Sequence, residues 1–367
     1  MNTSDKFRVV HIIGGFRFGG IEKLVYDLVS EQKRSATICP YILVVRSQGE
    51  FSHRFKQLKV PITAINPKSN YCFDLTRIKK ILSVFKQSDI IHFHGFHHML
   101  AILALLYGKK ILYTEHGNFA FGRKKTIKDR GQHFLRKCFY KWFVDVVACN
   151  SKFTKNYLQN SWKLRSNKIK VIYNGSMPEK INENEVSKIR EYYGNKFIIG
   201  TTSRLAEVKQ INRLVHAYIQ FALEFEDVIL IIVGEGPERD IIEKEAGQFF
   251  NKRIFLPGFK PNPSDYQSAF DVCVFPSKNE SFGLVAVESY NARKPVLVFE
   301  DGGGLMEIVS MCDPDDVVTD IKGLVNRIKF YYSTREEKNT TELLKYFSAE
   351  RMASEYYLNY EDVLCSK

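Results

Sequence analysis

No run of about 18 apolar residues exists in this chain, so a spanning helix is not expected; Met99 to Leu106 is far short of one. The N-terminus lacks a signal-peptide pattern, because the apolar run Val9 to Ile13 is too short and glycines follow it at once. The seven cysteines (39, 72, 138, 149, 273, 312, 365) contain no C-x-x-C pair. An odd number without clip spacing argues against structural zinc and for a reducing cytosol. Cys149 and Cys273 sit in apolar strand-like runs and are expected to be buried thiols. The aromatic residues form no stacking platform and no nucleic-acid-binding motif is present.

What is present is an ordinary globular composition, 44% hydrophobic and 26% charged over 367 residues, enough for two domains. The charge is unevenly placed. Residues 1–175 hold 31 Lys+Arg against 10 Asp+Glu, a net of +21, while residues 176–367 carry a net of −8 within a total of +13. A basic half meets nucleic acid, anionic lipid or acidic substrates. With no nucleic-acid motif, an anionic membrane surface is the better expectation. The stretch Arg123 to Phe143 points the same way. It interleaves Arg123, Lys124, Lys125, Lys128, Arg130, Arg136, Lys137 and Lys141 with Phe134, Leu135, Phe139, Tyr140, Trp142 and Phe143. Cations on one side and aromatics on the other describe an interfacial helix; a core-facing helix with a solvated basic face is the competing reading.

Along the first half, strand-like runs at 7–13, 40–45, 60–65, 89–94, 110–116, 145–150 and 169–173 are mostly separated by amphipathic helical patterns. Strands bounded by such helices imply a parallel sheet covered on both faces, with chemistry at the C-terminal strand ends. Three features lie there. The first is Gly14-Gly15-Phe16-Arg17-Phe18-Gly19-Gly20, which is not a G-x-G-x-x-G fingerprint. Next comes His92-Phe93-His94-Gly95-Phe96-His97-His98; with no acidic or cysteine ligand nearby, strand-end hydrogen bonding is favoured over metal. Then comes Thr114-Glu115-His116-Gly117, whose histidine is placed to meet a sugar hydroxyl or reacting centre; Glu115 is a structural partner or an acceptor-side group. Asn174-Gly175 closes this half, and the polar segment 179–188 reads as the connection to the next.

The second half repeats the rhythm, with strands at 196–202, 228–233, 254–256 and 271–275. Arg204 and Lys209 follow the first of these; a guanidinium fork and an ammonium on one loop suit a diphosphate. Gly234-Glu235-Gly236-Pro237 is a tight turn after the second. Pro276 to Glu307 carries the most chemistry. Glu280 stands before the turn Ser281-Phe282-Gly283, Glu288 lies in the helical run from Leu284 to Ala292, and Gly302-Gly303-Gly304 opens another helix. Helix N-termini favour anions, and two acids beside them suit a ligand with hydroxyls and phosphates, such as a nucleotide sugar.

This set of residues resembles the retaining glycosyltransferases of family 4, across nearly the whole chain and most strongly from 198 to 308. The resemblance implies a GT-B fold: two doubly wound, Rossmann-like parallel-sheet domains facing across a cleft, with the terminal helix crossing back. The boundaries would be 1–175 plus 348–367 for the acceptor side, and 176–347 for nucleotide-sugar binding. It implies catalytic roles for His116 and Glu280, and diphosphate contacts from Arg204, Lys209, Gly19 and Gly20. Ser281, Phe282, Gly283 and Leu284 would meet the donor sugar, Glu288 the ribose, and Gly234 and Gly236 the base side; Glu307 would be structural. Two departures are visible. Gln210 stands where the family often has glycine, and Asp313 to Asp320 is shorter than the family's loop. No metal or other cofactor is expected, because Asp313-Pro314-Asp315, the Asp-x-Asp spacing, lies after the site and contains a proline.

The expected activity is transfer of a sugar, UDP-linked on family frequency, to an acceptor hydroxyl with retention, by a covalent or a front-face route. The expected acceptor is a lipid-linked glycan of surface polysaccharide assembly at the inner face of the cell membrane. A sugar-nucleotide epimerase and a non-catalytic membrane-attached scaffold are the alternatives.

Overall fold

The computed structural model describes residues 6–17, 19–66, 74–117 and 127–365. Phe18, Cys72, Arg123, Lys124, Lys125 and the side chain of Lys128 lie outside them. The chain divides into two compact units, Met1–Gly175 with Phe347–Lys367, and Ser176–Tyr346.

In the first unit seven apolar segments form strands: β1 (Phe7–Ile13), β2 (Ile38–Val44), β3 (Ile62–Ala64), β4 (Ile90–Phe93), β5 (Lys110–Glu115), β6 (Val146–Cys149) and β7 (Ile169–Val171). All pair in parallel, in the order β3-β2-β1-β4-β5-β6-β7. Alternation along the strands divides the core between the sheet's two faces. Val10, Ile12, Ile91, Phe93, Ile111 and Tyr113 point to one cluster. Val9, Ile90 and Leu112 point to another, completed by Met352, Tyr356 and Tyr360 of the helix Ala349–Cys365. Two residues further along each strand, the same row becomes polar: His11, His92 and Thr114 are all buried.

The terminal helix is tied down by a close backbone pass. A Cβ on Gly175 would stand 2.0 Å from the Ser348 carbonyl oxygen, so only glycine fits there. Arg351 donates to the Tyr173 carbonyl at 2.7 Å beside it.

The second unit has β8 (Phe197–Thr202), β9 (Val228–Val233), β10 (Ile254–Gly258), β11 (Val272–Phe275), β12 (Val296–Phe299) and β13 (Val317–Val318). These too are parallel, in the order β10-β9-β8-β11-β12-β13. Its core packs helix Ile211–Ala222 and helix Ile321–Thr334 against the sheet. A Cβ on Gly200 would sit 2.1 Å from the Phe270 ring, so this glycine in mid-strand admits the aromatic side chain.

Each sheet reverses its strand order at one place: between β1 and β4 in the first unit, and between β8 and β11 in the second. Loops diverge at such switch points and leave a crevice at the C-terminal strand ends. Most of the sequence's candidate residues lie on the loops leaving these four strands and on the loop after β5, with Gly234 and Gly236 on the turn after β9 and Gly302, Gly303 and Gly304 after β12.

Two local readings need correction, and two strands, β12 and β13, are added to those read from the sequence. The polar segment 179–188 is not simply a connector, because Glu183–Tyr192 is a helix of the second unit. It buries no residue fully and is tethered by Arg190, whose guanidinium reaches Asp271 at 2.6 Å. The short strand β13 carries too few residues to be seen as a pattern. Helix Ile127–Trp142 does not separate cations from aromatics as expected. Phe139 and Tyr140 are buried and Arg136 turns inward, whereas Phe134, Leu135, Trp142 and Phe143 are 50–63% exposed. Among the described residues no helix is long and apolar enough to cross a membrane.

Candidate active site

In the second unit the site is built by hydrogen bonds between loops. Glu280 leaves β11 and forms an isolated bridge with Gly303. Its N–H donates to the Gly302 carbonyl at 3.1 Å, and its carbonyl accepts from the Gly304 N–H at 2.7 Å. Gly303 takes φ 68° to allow this. The loop after β8 joins in, because the Lys278 N–H donates to the Val208 carbonyl at 2.9 Å. That loop turns so that Lys209 reaches the Glu280 carboxylate, Nζ to Oε2, at 2.5 Å. Both side chains remain partly exposed, at 17% and 23%. Arg204, on the same loop, is exposed and has no hydrogen bond or ion pair among the described residues. The structure thus brings Lys209 and Glu280 into contact and leaves Arg204 nearby in sequence with its five donors available.

Past Glu280, Gly283 has φ 104° and precedes helix Leu284–Asn291. Without Cβ it also avoids the Leu305 side chain, which would lie 2.5 Å away. Phe282 is buried, Ser281 and Leu284 are half-buried, and Glu288 is half-buried one turn into the helix. Glu307 lies in the first turn of helix Gly304–Cys312, its N–H bonded to the Gly303 carbonyl. The turn after β9 locks onto the loop after β8. A Cβ on Gly234 would be 1.8 Å from the Ser203 oxygen, and one on Gly236 2.1 Å from the Leu205 oxygen. Gln210 adopts the left-handed conformation, φ 49° and ψ 39°, at the start of helix Ile211–Ala222. That is a backbone state glycine adopts at no steric cost.

Sequence reasoning missed a supporting group here. Arg213 pairs with Asp301 at 2.8 Å and lies over the Phe299 ring at 3.5 Å. It thereby ties helix Ile211–Ala222 to the loop that carries the three glycines. An Arg and an Asp 88 residues apart give no local signal.

The segment Asp313 to Asp320 holds a separate ion cluster. Arg327 contacts Asp313 at 2.7 Å and Asp316 at 2.6 Å, and Lys338 contacts Asp313 at 2.6 Å. The two cations engage Asp313 and Asp316, while Asp315, the second acid of the Asp-x-Asp spacing, is exposed and stands outside this cluster.

In the first unit, Gly19 caps helix Gly20–Arg34, and the Lys23 N–H donates to its carbonyl. His116 follows β5 and is half-buried. Glu115 beside it is 2% exposed and fully used. It accepts from the Gly117 N–H at 2.9 Å and from the Tyr140 hydroxyl at 2.8 Å, with Arg136 at 4.0 Å. Of the two roles open to Glu115, the structure supports the structural one: it fixes the turn that presents His116.

His116 is not isolated. Its Nε2 lies 3.3 Å from His94 Nδ1, and His94 Nε2 lies 3.0 Å from His11 Nδ1. His11 Nε2 is 2.7 Å from Gln32 Oε1. His92 bonds Tyr360 and Thr114, each at 2.7 Å. Burial keeps all four rings neutral: His11 and His116 are lowered to about 4, and His92 and His94 well below their ordinary value. His11, His92 and His94 bring ligand-type nitrogens within 4.8 Å of one another, but hydrogen bonds occupy both nitrogens of each. His11 and Gln32 were not foreseen. The available signal was a histidine inside an otherwise apolar strand run.

The family model described as Glycosyltransferase Family 4 matches residues 18–180, and that of Glycosyl transferases group 1 matches residues 182–342. The chain belongs to the family 4 glycosyltransferases. Its relatives agree. The uncharacterised glycosyltransferase MJ1178 of Methanocaldococcus jannaschii is 27% identical over 360 residues, 94% of this chain and 95% of that protein. The O-antigen biosynthesis glycosyltransferase WclY of Escherichia coli is 26% identical over 247 residues, 64% of this chain. The match spans 66% of WclY and only 39% of another archaeal relative. The crystal structure of Anabaena Alr3699/HepE with UDP and glucose has a TM-score of 0.81 at 19% identity, covering 97% of this chain and 100% of that one. At that identity the likeness establishes the GT-B fold for this family 4 chain, and no more.

Proposed function

We propose that this glycosyltransferase moves a sugar from a UDP-linked donor to an acceptor hydroxyl, with retention of anomeric configuration and without a metal. The observation that carries the reading is the loop assembly at the β8–β11 switch point. It presents an exposed Arg204, the Lys209–Glu280 pair and the Gly283 and Gly303 turns together at strand ends.

In this reading the second unit holds the donor. Arg204 takes the diphosphate as a fork and Lys209 as a point charge, so that the departing nucleotide is neutralised by side chains and helix N-termini. Lys209 exchanges Glu280 for phosphate as donor arrives. The carboxylate of Glu280 then faces the sugar near its reacting carbon. Backbone from Ser281 to Leu284 meets sugar hydroxyls, Glu288 the ribose, and the Gly234–Gly236 turn the base. The first unit contributes Gly19 and Gly20 as close backbone to the diphosphate, and His116 as a group that meets a sugar hydroxyl. HepE has been crystallised with UDP-glucose and WclY is named for O-antigen biosynthesis, which supports a UDP-sugar donor and a glycan acceptor.

The acceptor is a lipid-linked glycan, reached at an anionic membrane surface through the basic first unit. The exposed face of helix Ile127–Trp142 supports this. Arg130, Lys137 and Lys141 recur at i, i+7 and i+11 in one row with Phe134, and Leu135 and Trp142 form the adjoining row.

A thermal-shift panel of UDP, GDP and ADP tests the donor reading. A ligand at about 100 Kd stabilises by about 2.7 kcal/mol. UDP is expected to raise the melt with or without EDTA, and to lose that effect in Arg204→Ala. A response to GDP alone, or one abolished by EDTA, overturns the base or the metal independence. Product anomer assignment by NMR tests retention.

A further inference from the structure

Two cations four residues apart, Lys209 and Arg213, reach two acids on neighbouring loops of the second unit. Lys209 pairs with Glu280, and Arg213 pairs with Asp301 at 2.8 Å. The second pair is the better anchored. The Arg213 guanidinium lies 3.5 Å from the centre of the Phe299 ring, which is fully buried at the end of β12. Arg213 stands in the first turn of helix Ile211–Ala222, whose Leu214, Val215, Ala217 and Tyr218 are buried in the core. A planar guanidinium already stacked on a ring loses little freedom when it pairs, so this cation is in place before any ligand arrives.

Asp301 passes that position on to the acid that matters. Its carbonyl accepts from the Asn279 N–H at 2.8 Å, and its carboxylate also lies 3.9 Å from Lys278 Nζ. One residue further, the Glu280 N–H donates to the Gly302 carbonyl and the Gly304 N–H donates back to Glu280. Asn279 has φ 53°, a left-handed state that a residue other than glycine keeps only where the surrounding structure holds it. The two cations meet different fates in the donor reading. Lys209 leaves Glu280 for the diphosphate, which releases the direct hold on the carboxylate at the moment the sugar is bound. Arg213 is engaged with Asp301 and the Phe299 ring, and Glu280 is not its partner.

We propose that Arg213 is a positioning residue whose pair with Asp301 is a second latch, keeping the Glu280 segment in register on the glycine loop while Lys209 exchanges Glu280 for phosphate. The proposal deepens the donor reading and rests on it for that exchange. Its parts all belong to the second unit.

Hydrogen exchange read by mass spectrometry on the full chain tests it, over peptides covering 279–280 and 302–304. The Asn279, Glu280 and Gly304 amides are the donors that the latch protects. UDP is the probe. In the unmodified chain UDP is expected to leave these amides as slow as before, or slower. Arg213→Met keeps an apolar stem against Phe299 and removes the charge. Without ligand it should change their exchange by less than about twofold, and with UDP it should speed it by about tenfold, because Lys209 then leaves with no second latch behind it. Lys209→Met alone should stay within about twofold, whereas Lys209→Met combined with Arg213→Met should show the tenfold acceleration without ligand. That arm judges the latch even if UDP fails to bind, an outcome that would overturn the donor reading alone. Asp301→Asn should repeat Arg213→Met, and Arg213→Lys, which restores the cation, should recover most of the protection. Acceleration of equal size with and without UDP in Arg213→Met would make the pair a plain structural tie and overturn the proposal. Slow exchange in the double variant, or faster exchange on adding UDP to the unmodified chain, would overturn it too.

Discussion

At the scale of single residues, Glu280 and Lys209 allow stability and activity to be separated. Their pair is partly exposed, so replacing one partner costs less than about 1 kcal/mol. If the carboxylate faces the reacting carbon, Glu280→Gln keeps the shape, removes the charge and lowers kcat by about a hundredfold or more. Melting temperature and kcat measured on the same preparation check this. A large fall in both would make Glu280 a structural residue. Glu280, Arg204 and Lys209 were legible in the sequence because their signal is local: charged residues at fixed distances from turn glycines that follow apolar runs. His11 and Gln32 were not, since their meaning arises only when β1, β4 and helix Gly20–Arg34 come together.

The buried histidines make acid stability a second residue-scale prediction. The pKa of His11 falls from 6.5 to about 4 on folding, so between those values the unfolded chain binds more protons. Its contribution is complete above about pH 6.5 and is lost as pH falls toward 4. Going from pH 7 to 5, this one group removes about 2 kcal/mol. His92 and His94, also lowered, act in the same direction. Both tryptophans, Trp142 and Trp162, lie in the first unit, so urea titration followed by their fluorescence reports that unit alone. A midpoint that does not move between pH 7 and 5 would contradict the buried neutral row.

At the scale of elements, eleven of the thirteen described strands were readable from apolar runs with helical patterns between them, and their ends move by only a residue or two. β12, an apolar run inside the stretch read for its chemistry, was not read as a strand. What else escaped was set by tertiary partners. Helix Glu183–Tyr192 is polar and buries nothing fully, and the two residues of β13 pair only because β12 is beside them. The loops between elements carry sharper requirements. Gly234 has φ 141°, and an added Cβ would strike the Ser203 carbonyl oxygen, which is backbone and cannot swing aside. Gly234→Ala should therefore cost about 2 kcal/mol or more and weaken UDP binding with it. Gln210 is the opposite case. Its left-handed backbone carries a steric cost that glycine lacks, so Gln210→Gly should leave stability unchanged or raise it by up to about 1 kcal/mol, while Gln210→Val lowers it. Chemical denaturation of the three variants checks both statements, and an equal loss in Gln210→Gly and Gln210→Val would remove the backbone explanation.

At the scale of the whole molecule, charge and apolar exposure coincide. The half with a net of +21 also bears the helix whose outer face shows Phe134, Leu135, Trp142 and Phe143. A solvated basic face accounts for the cations and leaves these four side chains unexplained. A membrane surface accounts for both, since cations near anionic lipid contribute about 1 kcal/mol each and a buried aromatic about 2 kcal/mol. The two contributions separate by experiment. Flotation with vesicles containing anionic lipid should carry the protein at low salt and release much of it at high salt, because screening weakens only the charge part. Phe134→Ser with Trp142→Ser should weaken partitioning at every salt concentration by at least about tenfold, since about 1.4 kcal/mol already corresponds to that factor. Trp142 gives an internal check: it is 62% exposed while Trp162 is buried, so a blue shift on adding vesicles arises from the exposed helix face. Flotation lost in high salt but indifferent to the double substitution would mean that the basic half is drawn to the lipid without inserting this helix. No flotation at low salt would remove the membrane from the proposed function, with the donor site unaffected.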